Sequence, residues 1–337
     1  MLGTVPDLLR LVALPVFGWA AYRDVRTRRV PNRTWYPLVA LGVVLLAVEV
    51  VGVLPVDGYE ERLFLLRTGL SIGFVVPLSY VFWRIGGFGG ADAKALMTLA
   101  VLLPTYPTYF LPGVGLPVER ATLGVFSMTV LTNTVIVGLA YPLFLAVRNA
   151  VAGVFSPVAF VGRRVPLEEL STTHGRLFEV PEGFTRRGLD IDALRMYLRW
   201  RGLSLAALRA NPEACRSPAN VGETNHPTDG AVDTDAVDAA DWTSVDDVDV
   251  DADAERDADA VDDPWAAERF LDEIEGSAYG TTPETLRDGL EVLTEAERDR
   301  VWVSPGIPFI VPMFVGLLLA FTYGDVLIGL LGLFGVV

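Results

Sequence analysis

The sequence has 337 residues, of which 51% are hydrophobic, yet its formal net charge is −15. One soluble domain seldom combines such hydropathy with such acidity, whereas a membrane protein with a separate acidic soluble part does. A single cysteine, Cys215, excludes an internal disulfide and a multi-cysteine zinc site, and two histidines disfavour a histidine-rich metal site. The acidic balance also disfavours nucleic acid as a partner.

A helix that spans a bilayer needs about 20 apolar residues. Six stretches meet or approach that length, although the fourth begins with charged residues and contains Pro104. They cover residues 8–22, 35–54, 63–83, 91–110, 121–147 and 307–323. The sequence therefore predicts a polytopic α-helical membrane protein with about six transmembrane helices, a small cytoplasmic soluble domain and a disordered acidic linker.

Basic residues follow the first apolar stretch instead of preceding it, which argues against a cleaved signal peptide. Under the positive-inside rule, the arginine-rich segment 23–33 lies in the cytoplasm and the N-terminus lies outside. Alternating the spans then places "RIGGFGGADAK" (84–94) and the long segment 148–306 in the cytoplasm as well.

The sequence predicts five parts, of which the first and the last lie in the membrane. These are a membrane domain with five spans (1–147), the first part of a cytoplasmic domain (148–210), an acidic linker (211–263), cytoplasmic helices (264–304) and a C-terminal span (305–337). The linker is rich in aspartate and poor in large apolar residues, so we expect it to be disordered.

Two capping patterns refine the prediction for the cytoplasmic part. Residues 189–208 read as helical with Asp190 or Asp192 as the cap, and Thr294 with Glu297 forms a capping-box pattern at a helix start.

Two aspartates stand at predicted span ends on the cytoplasmic side. Asp92 follows "GGFGGA" and is explained equally well as the N-cap of the fourth helix. Asp24 ends the first helix, where the macrodipole disfavours a carboxylate, although the surrounding arginines could pair with it. Two neighbouring carboxylates share a proton, so one can activate water as a base while the other acts as an acid. This chemistry predicts peptide hydrolysis without a metal or any other cofactor.

The two motifs, read together, resemble those of the prepilin/preflagellin peptidase family, which are membrane aspartic peptidases of the GxGD type. The matching stretches are "DVRTRRVPNRT" (24–34) and "GGADAK" (89–94), where Ala91 replaces the glycine before the second aspartate. The resemblance covers residues 1–147 and extends to "SPGIPFIVP" (304–312), which is similar to the C-terminal segment of archaeal members.

The resemblance implies that Asp24 and Asp92 are catalytic. It also implies removal of a short basic leader peptide from precursors of archaellins and type IV pilins, with the lipid bilayer as the surrounding partner. We expect six further residues to support the site or contact substrate, although Asn32 and Pro308 also suit helix starts. They are Gly89, Gly90, Ala91, Lys94, Asn32 and Pro308. The acidity and the archaeal resemblance together point to a haloarchaeal cell membrane.

Three alternatives use the same residues differently. A proton- or cation-coupled transporter would use the two acids as a relay, and a presenilin-like protease would cut inside the bilayer. A structural membrane anchor would need Asp24 and Asp92 only as an ion-pair partner and a helix cap.

Overall fold

The computed structural model describes residues 2–27, 30–185, 187–230, 263–274, 278–304 and 309–335. It divides into two compact units, one of residues 1–142 with 307–337 and one of residues 143–306. The first unit therefore combines the two ends of the chain around one apolar core, and the second has a core of its own.

The helices and strands are numbered in chain order. The first stretch holds α1 (Val5–Arg10), α2 (Ala13–Thr27), α3 (Tyr36–Gly52), α4 (Tyr59–Leu70), α5 (Val76–Arg84), α6 (Gly90–Leu102), β1 (Tyr109–Leu111), β2 (Val114–Leu116) and α7 (Phe126–Val151). The second unit continues with β3 (Arg163–Pro166), β4 (Arg176–Leu177), β5 (Glu179–Val180), β6 (Gly183–Phe184), α8 (Ile191–Arg201), α9 (Leu205–Ala210), α10 (Pro212–Arg216), α11 (Ala267–Glu273), α12 (Pro283–Thr294) and β7 (Arg300–Ser304). The chain returns to the first unit with α13 (Ile310–Thr322) and α14 (Val326–Leu333).

Four helical runs of the described chain are long and apolar enough to cross a membrane, by length and composition. They are Val5–Thr27, Asn32–Gly52, Tyr59–Arg84 and Phe126–Val151, and they confirm the first, second, third and fifth predicted spans as helices. The other two helices are short, with 13 residues each in α6 and α13. The count of six spanning helices is therefore not confirmed.

The fourth predicted span, 91–110, is wrong in its second half. Helix α6 ends at Leu102, and residues 109–111 form a strand that pairs with residues 114–116. Pro104 explains the end, because proline disfavours the helical conformation of the residue before it. Leu103 accordingly has φ −130° and ψ 56°.

Helices α1, α3 and α6 meet at Arg10, whose side chain is 2% exposed. Its guanidinium donates to Asp7 Oδ1 at 3.3 Å, to both carboxylate oxygens of Glu49 at 2.8 and 2.6 Å, and to the carbonyl of Leu102 at 2.9 Å. A buried cation is tolerated only with such partners, so this network holds one end of the first unit together.

Close approach of α3 to α6 depends on Gly42. A Cβ added there would lie 2.9 Å from the Cα of Leu102, so only glycine lets the two backbones come this near. The packing places α6 directly beside α3 along the apolar core of the first unit.

The second unit is built around a three-stranded antiparallel sheet in the order β3-β7-β4. Helix α8 packs its buried face into the same core, with Asp190 as its N-cap and Gly202 ending it at φ +64°. The predicted helix and its Asp190 cap are therefore confirmed, although the helix ends at Arg201 and α9 is separate.

Residues 264–304, predicted to be helical, contain one strand. Thr294 is the last residue of α12 and does not start a helix. Its hydroxyl donates to the carbonyls of Leu290 and Glu291 in the preceding turn. Residues 300–304 then form β7, in which the β-branched Val301 and Val303 are buried and pair with β3. Residues 300–304 form a strand because they pair with β3, and a local sequence pattern does not reveal this partner.

The predicted acidic linker, 211–263, is folded at both of its ends. Residues 212–216 form α10, and Cys215 is buried in the core. At the other end Asp263 accepts hydrogen bonds from the backbone N–H of Glu268 and Arg269 and from Arg287. Burial alone would raise the pKa of Asp263, yet these donors lower it below its ordinary value. Residues 231–262 lie outside the described residues, so disorder there stays a prediction.

Replacing Arg10 tests the buried network. We expect Arg10→Met to destabilise the protein by about 3 kcal/mol, because it leaves the buried Asp7 carboxylate and the half-buried Glu49 carboxylate without their cation. Thermal unfolding of the detergent-purified protein measures the change, and Arg62→Met, at an exposed arginine, is the matched control. Equal unfolding temperatures for the two variants would contradict the role given to Arg10.

Candidate active site

Asp24 lies on the buried face of α2. The buried residues of this helix are Ala13, Phe17, Ala20, Ala21 and Asp24, which recur every three or four residues and so form one stripe. Asp24 is 8% exposed, and it is the charged end of an otherwise apolar stripe. The carboxylate therefore faces the interior of the first unit and not the surrounding solvent or lipid.

The segment after α2 turns back into the same core. Pro31 precedes a short 3-10 helix at Asn32–Thr34, and the buried Trp35 ring lies 5.2 Å from the ring of Phe17. The "VPN" motif thus positions the start of α3 against α2, while Asn32 itself stays exposed. Arg28 and Arg29 lie outside the described residues.

Asp92 occupies the first turn of α6. Gly89 is the N-cap, and its backbone N–H donates to Asp92 Oδ2 at 3.1 Å. The prediction that Asp92 is the N-cap is therefore wrong. Asp92 is the third helical residue, and its carboxylate accepts the hydrogen bond that closes the turn. A helix N-terminus favours negative charge at this place.

The three small residues before Asp92 differ in whether the turn requires a glycine at their position. Gly89 has an ordinary extended backbone, but a Cβ there would lie 2.8 Å from Asp92 Oδ2. A Cβ on Gly90 would meet only Trp83 Nε1, at an ordinary 3.6 Å. Ala91 is already inside α6, where alanine is the most favourable residue, so the helix does not require the glycine that it replaces.

Lys94 joins the two motifs. Its Nζ donates to Asn32 Oδ1 at 2.7 Å, across 62 residues of sequence. Because Asn32 follows Asp24 and Lys94 follows Asp92, this bond brings the segments that carry the two aspartates to one place.

The buried Arg10 network fixes the same arrangement from the opposite end. The helical run Val5–Thr27 leads from Arg10 to Asp24, and α6, followed backwards from Leu102, leads to Asp92. At a rise of about 1.5 Å per residue, the two carboxylates lie roughly 20 Å and roughly 15 Å along their helices from this anchor. Both aspartates are therefore at the end of the first unit that is remote from Arg10.

Helix α13 also reaches this end. Phe309, just before α13, lies 4.8 Å ring to ring from Phe88, which precedes Gly89. Pro308, the predicted supporting residue beside it, lies outside the described residues. The Phe88–Phe309 contact, which the sequence does not reveal, joins the start of α13 to the glycine turn.

The described residues include no group of three or more histidine, cysteine, aspartate or glutamate side chains that could hold a metal ion.

Two sequence families match this chain. Residues 11–143 match the type IV leader peptidase family, and residues 245–326 match the family described as archaeal Peptidase A24 C-terminus type II. The first match contains Asp24, Asn32, Asp92 and Lys94.

Two curated relatives are similar at low identity. Prepilin peptidase EppA of Methanothermobacter thermautotrophicus is 26% identical over 140 residues, and the preflagellin peptidase of Methanocaldococcus jannaschii is 23% identical over 141 residues. Each alignment covers 40% of this chain, but only 34% and 55% of the respective relatives.

Cross-linking tests the junction of the two motifs. In a Cys215→Ala background, we expect a thiol-reactive cross-linker to join the cysteines of Asn32→Cys and Lys94→Cys. The length of the cross-linker matches that of the two replaced side chains. Asn32→Cys with Arg120→Cys is the control, because Arg120 lies in the loop that follows the far end of α6. Cross-linking is detected from the electrophoretic mobility of the chain after a protease has cut it. Equal cross-linking of both pairs would contradict the contact between the two motifs.

Proposed function

Since this chain belongs to the type IV leader peptidase family, we propose that it is a membrane aspartic endopeptidase that removes leader peptides. Its substrates are precursors of archaellins and type IV pilins, and Asp24 and Asp92 activate the water. The family membership favours this function over the transporter, the structural anchor and the presenilin-like protease.

The observation that carries the proposal is the position of Asp24. Burial of a carboxylate at the end of an apolar stripe costs free energy, and ionisable groups at membrane depth are candidates for function. The Asn32–Lys94 bond and the remote Arg10 anchor support a location at the same end as Asp92.

The proposed chemistry needs one aspartate as carboxylate and the other protonated. The carboxylate removes a proton from water as the water oxygen attacks the scissile carbonyl carbon, and the second aspartate gives its proton to the carbonyl oxygen. The tetrahedral intermediate then collapses. The C–N bond breaks, and the nitrogen takes a proton from the aspartic acid formed in the first step. The hydroxyl proton of the intermediate returns to the other aspartate, so the pair is regenerated.

The depth of the aspartates suits a substrate whose leader meets an apolar helix. Exposed aromatic side chains stand close to them in the chain, with Trp19 and Tyr22 before Asp24 and Trp83 before the glycine turn. Such aromatic residues mark the boundary between lipid and water. The substrate helix would then lie in the bilayer, and its basic leader would reach the site at the membrane surface.

The arginines near this end support a cytoplasmic location for the site. By the positive-inside rule, the site and the second unit face the cytoplasm of a cell membrane, and the N-terminus lies outside. The proposed supporting residues are Gly89 and Lys94, which hold Asp92 and Asn32. Gly90 and Ala91 border the turn, and Pro308, outside the described residues, stays a predicted supporting residue.

Substitution of the aspartates tests the function. We expect Asp24→Asn and Asp92→Asn each to slow removal of a basic leader by at least about 100-fold, the usual range for a lost acid or base. The assay follows the size of a precursor pilin in membranes that contain the protein. Asp57→Asn, at an exposed residue of the loop before α4, is the control and keeps full activity. Normal trimming by either of the first two variants would exclude the aspartate pair.

Adjacent glycines offer a matched test of how Asp92 is held. Gly89→Ala has a permitted backbone but a Cβ that displaces the Asp92 carboxylate, so we expect kcat to fall on the order of 10- to 100-fold. Gly90→Ala introduces the same methyl group one residue later without a close contact, and it keeps its activity. Equal rates for the two variants would show that the Gly89 turn does not position Asp92.

A further inference from the structure

A turn without charged residues follows α7. No charged residue lies between Arg148, in the final turn of that helix, and Arg163, which begins β3. The turn consists of residues 152–162 and belongs to the second unit, as do the last residues of α7. Loops that face water are ordinarily rich in polar residues, so this composition indicates a different environment.

Asn149, buried near the end of α7, holds the 152–162 turn in place. Its carbonyl accepts from the backbone N–H of Val154 at 2.9 Å, and its side-chain amide donates to the carbonyls of Ala159 at 2.8 Å and Gly162 at 3.0 Å. Three points of the turn are thus bonded to one residue of α7. The turn therefore lies at the level of the helix end and does not extend away from it.

The inner residues of the turn pack against the sheet of the second unit. Ala159 forms a small buried cluster with Phe178 and Trp302, and Val154 and Val158 pack against this cluster. Trp302 belongs to β7, the central strand of the sheet. The turn is therefore a fixed part of the second unit with one buried face.

The outer residues of the turn are apolar and exposed. Phe155 is 83% exposed, Phe160 55% and Val161 46%. Val147 and Val151 are exposed on the last turns of α7, a helix long and apolar enough to cross the membrane. The apolar side chains that this helix presents to lipid are therefore followed along the chain by further exposed apolar side chains, held at the level of the helix end.

The bilayer is the partner that this arrangement favours. Phe155 comes four residues after Val151, so even a fully extended chain would place it at most roughly 14 Å from the end of α7. The hydrogen bonds of Asn149 keep the rest of the turn at that end. Apolar side chains such as phenylalanine are stable about 5–10 Å deep in the boundary between headgroups and acyl chains.

We propose that the 152–162 turn inserts Phe155 and Phe160 into the interfacial region of the phospholipid bilayer and thereby holds the second unit against the membrane surface. The exposed apolar side chains leave water on contact with lipid, which is favourable. Because β3 begins directly after the turn, the contact also sets the orientation of the sheet relative to the membrane surface. The inference goes beyond the proposed peptidase function and does not depend on it.

Fluorescence quenching by brominated lipid tests the contact in the full chain. In a Cys215→Ala background, Phe155→Cys and Phe160→Cys are each labelled with a fluorescent dye. The protein is then placed in phosphatidylcholine nanodiscs with or without bromine on the acyl chains. We expect bromine to quench both dyes to an extent similar to that of a dye at Val147→Cys, on the exposed face of α7. Because the replaced side chains are exposed, each variant should unfold at the temperature of the Cys215→Ala protein.

Arg199→Cys and Glu284→Cys, at exposed positions of α8 and α12, are the controls that bromine should leave unquenched. Equal bromine quenching at the controls and in the turn would overturn the proposal. Quenching of the turn by aqueous iodide but not by bromine would place the turn in water and would overturn it as well. Quenching by neither reagent would show that a second copy or another protein covers the turn, which is the third contradicting result.

A second experiment asks whether the two phenylalanines cause the contact. A dye at Val161→Cys should be quenched by bromine in the otherwise unchanged turn and should lose this quenching when Phe155→Ser and Phe160→Ser are added. Phe110→Ser, at an exposed phenylalanine of β1, is the matched control and keeps the quenching. Undiminished quenching with both serine substitutions in the turn would show that the phenylalanines do not hold it in the lipid.

Discussion

The buried guanidinium of Arg10 is the constraint on which the first unit depends. Its five N–H donors are shared among a carboxylate of its own helix, a carboxylate of α3 and the final carbonyl of α6. No sliding of α6 along α3 by one turn, about 5.4 Å, can keep these bonds. The network therefore sets the register of the helices, and with it the level that Asp24 and Asp92 reach some 15 to 20 Å away.

The two ends of the unit are held by interactions of different strength. Arg10 is buried, and the loss of its partners exposes a charge to an apolar surrounding. The Asn32–Lys94 bond is exposed, so water competes for both of its groups and its net contribution is small. Of these two interactions, the one remote from the aspartates therefore contributes more to stability.

The sequence by itself determined four of the six predicted apolar spans, the start of α8 at Asp190 or Asp192 and the two motifs with their aspartates, because these are local patterns of 10 to 20 residues with a strong period or a short signature. Tertiary structure decided the rest. The end of α6 at Leu102, the strand at 300–304 and the folded ends of the acidic segment depend on partners far away in the chain. The Arg10–Glu49 pair joins residues 39 positions apart, and the Lys94–Asn32 bond joins residues 62 positions apart. No periodicity encodes such a pair, since only the packing of the helices brings the two groups together, and for Arg10 it also excludes water from the guanidinium.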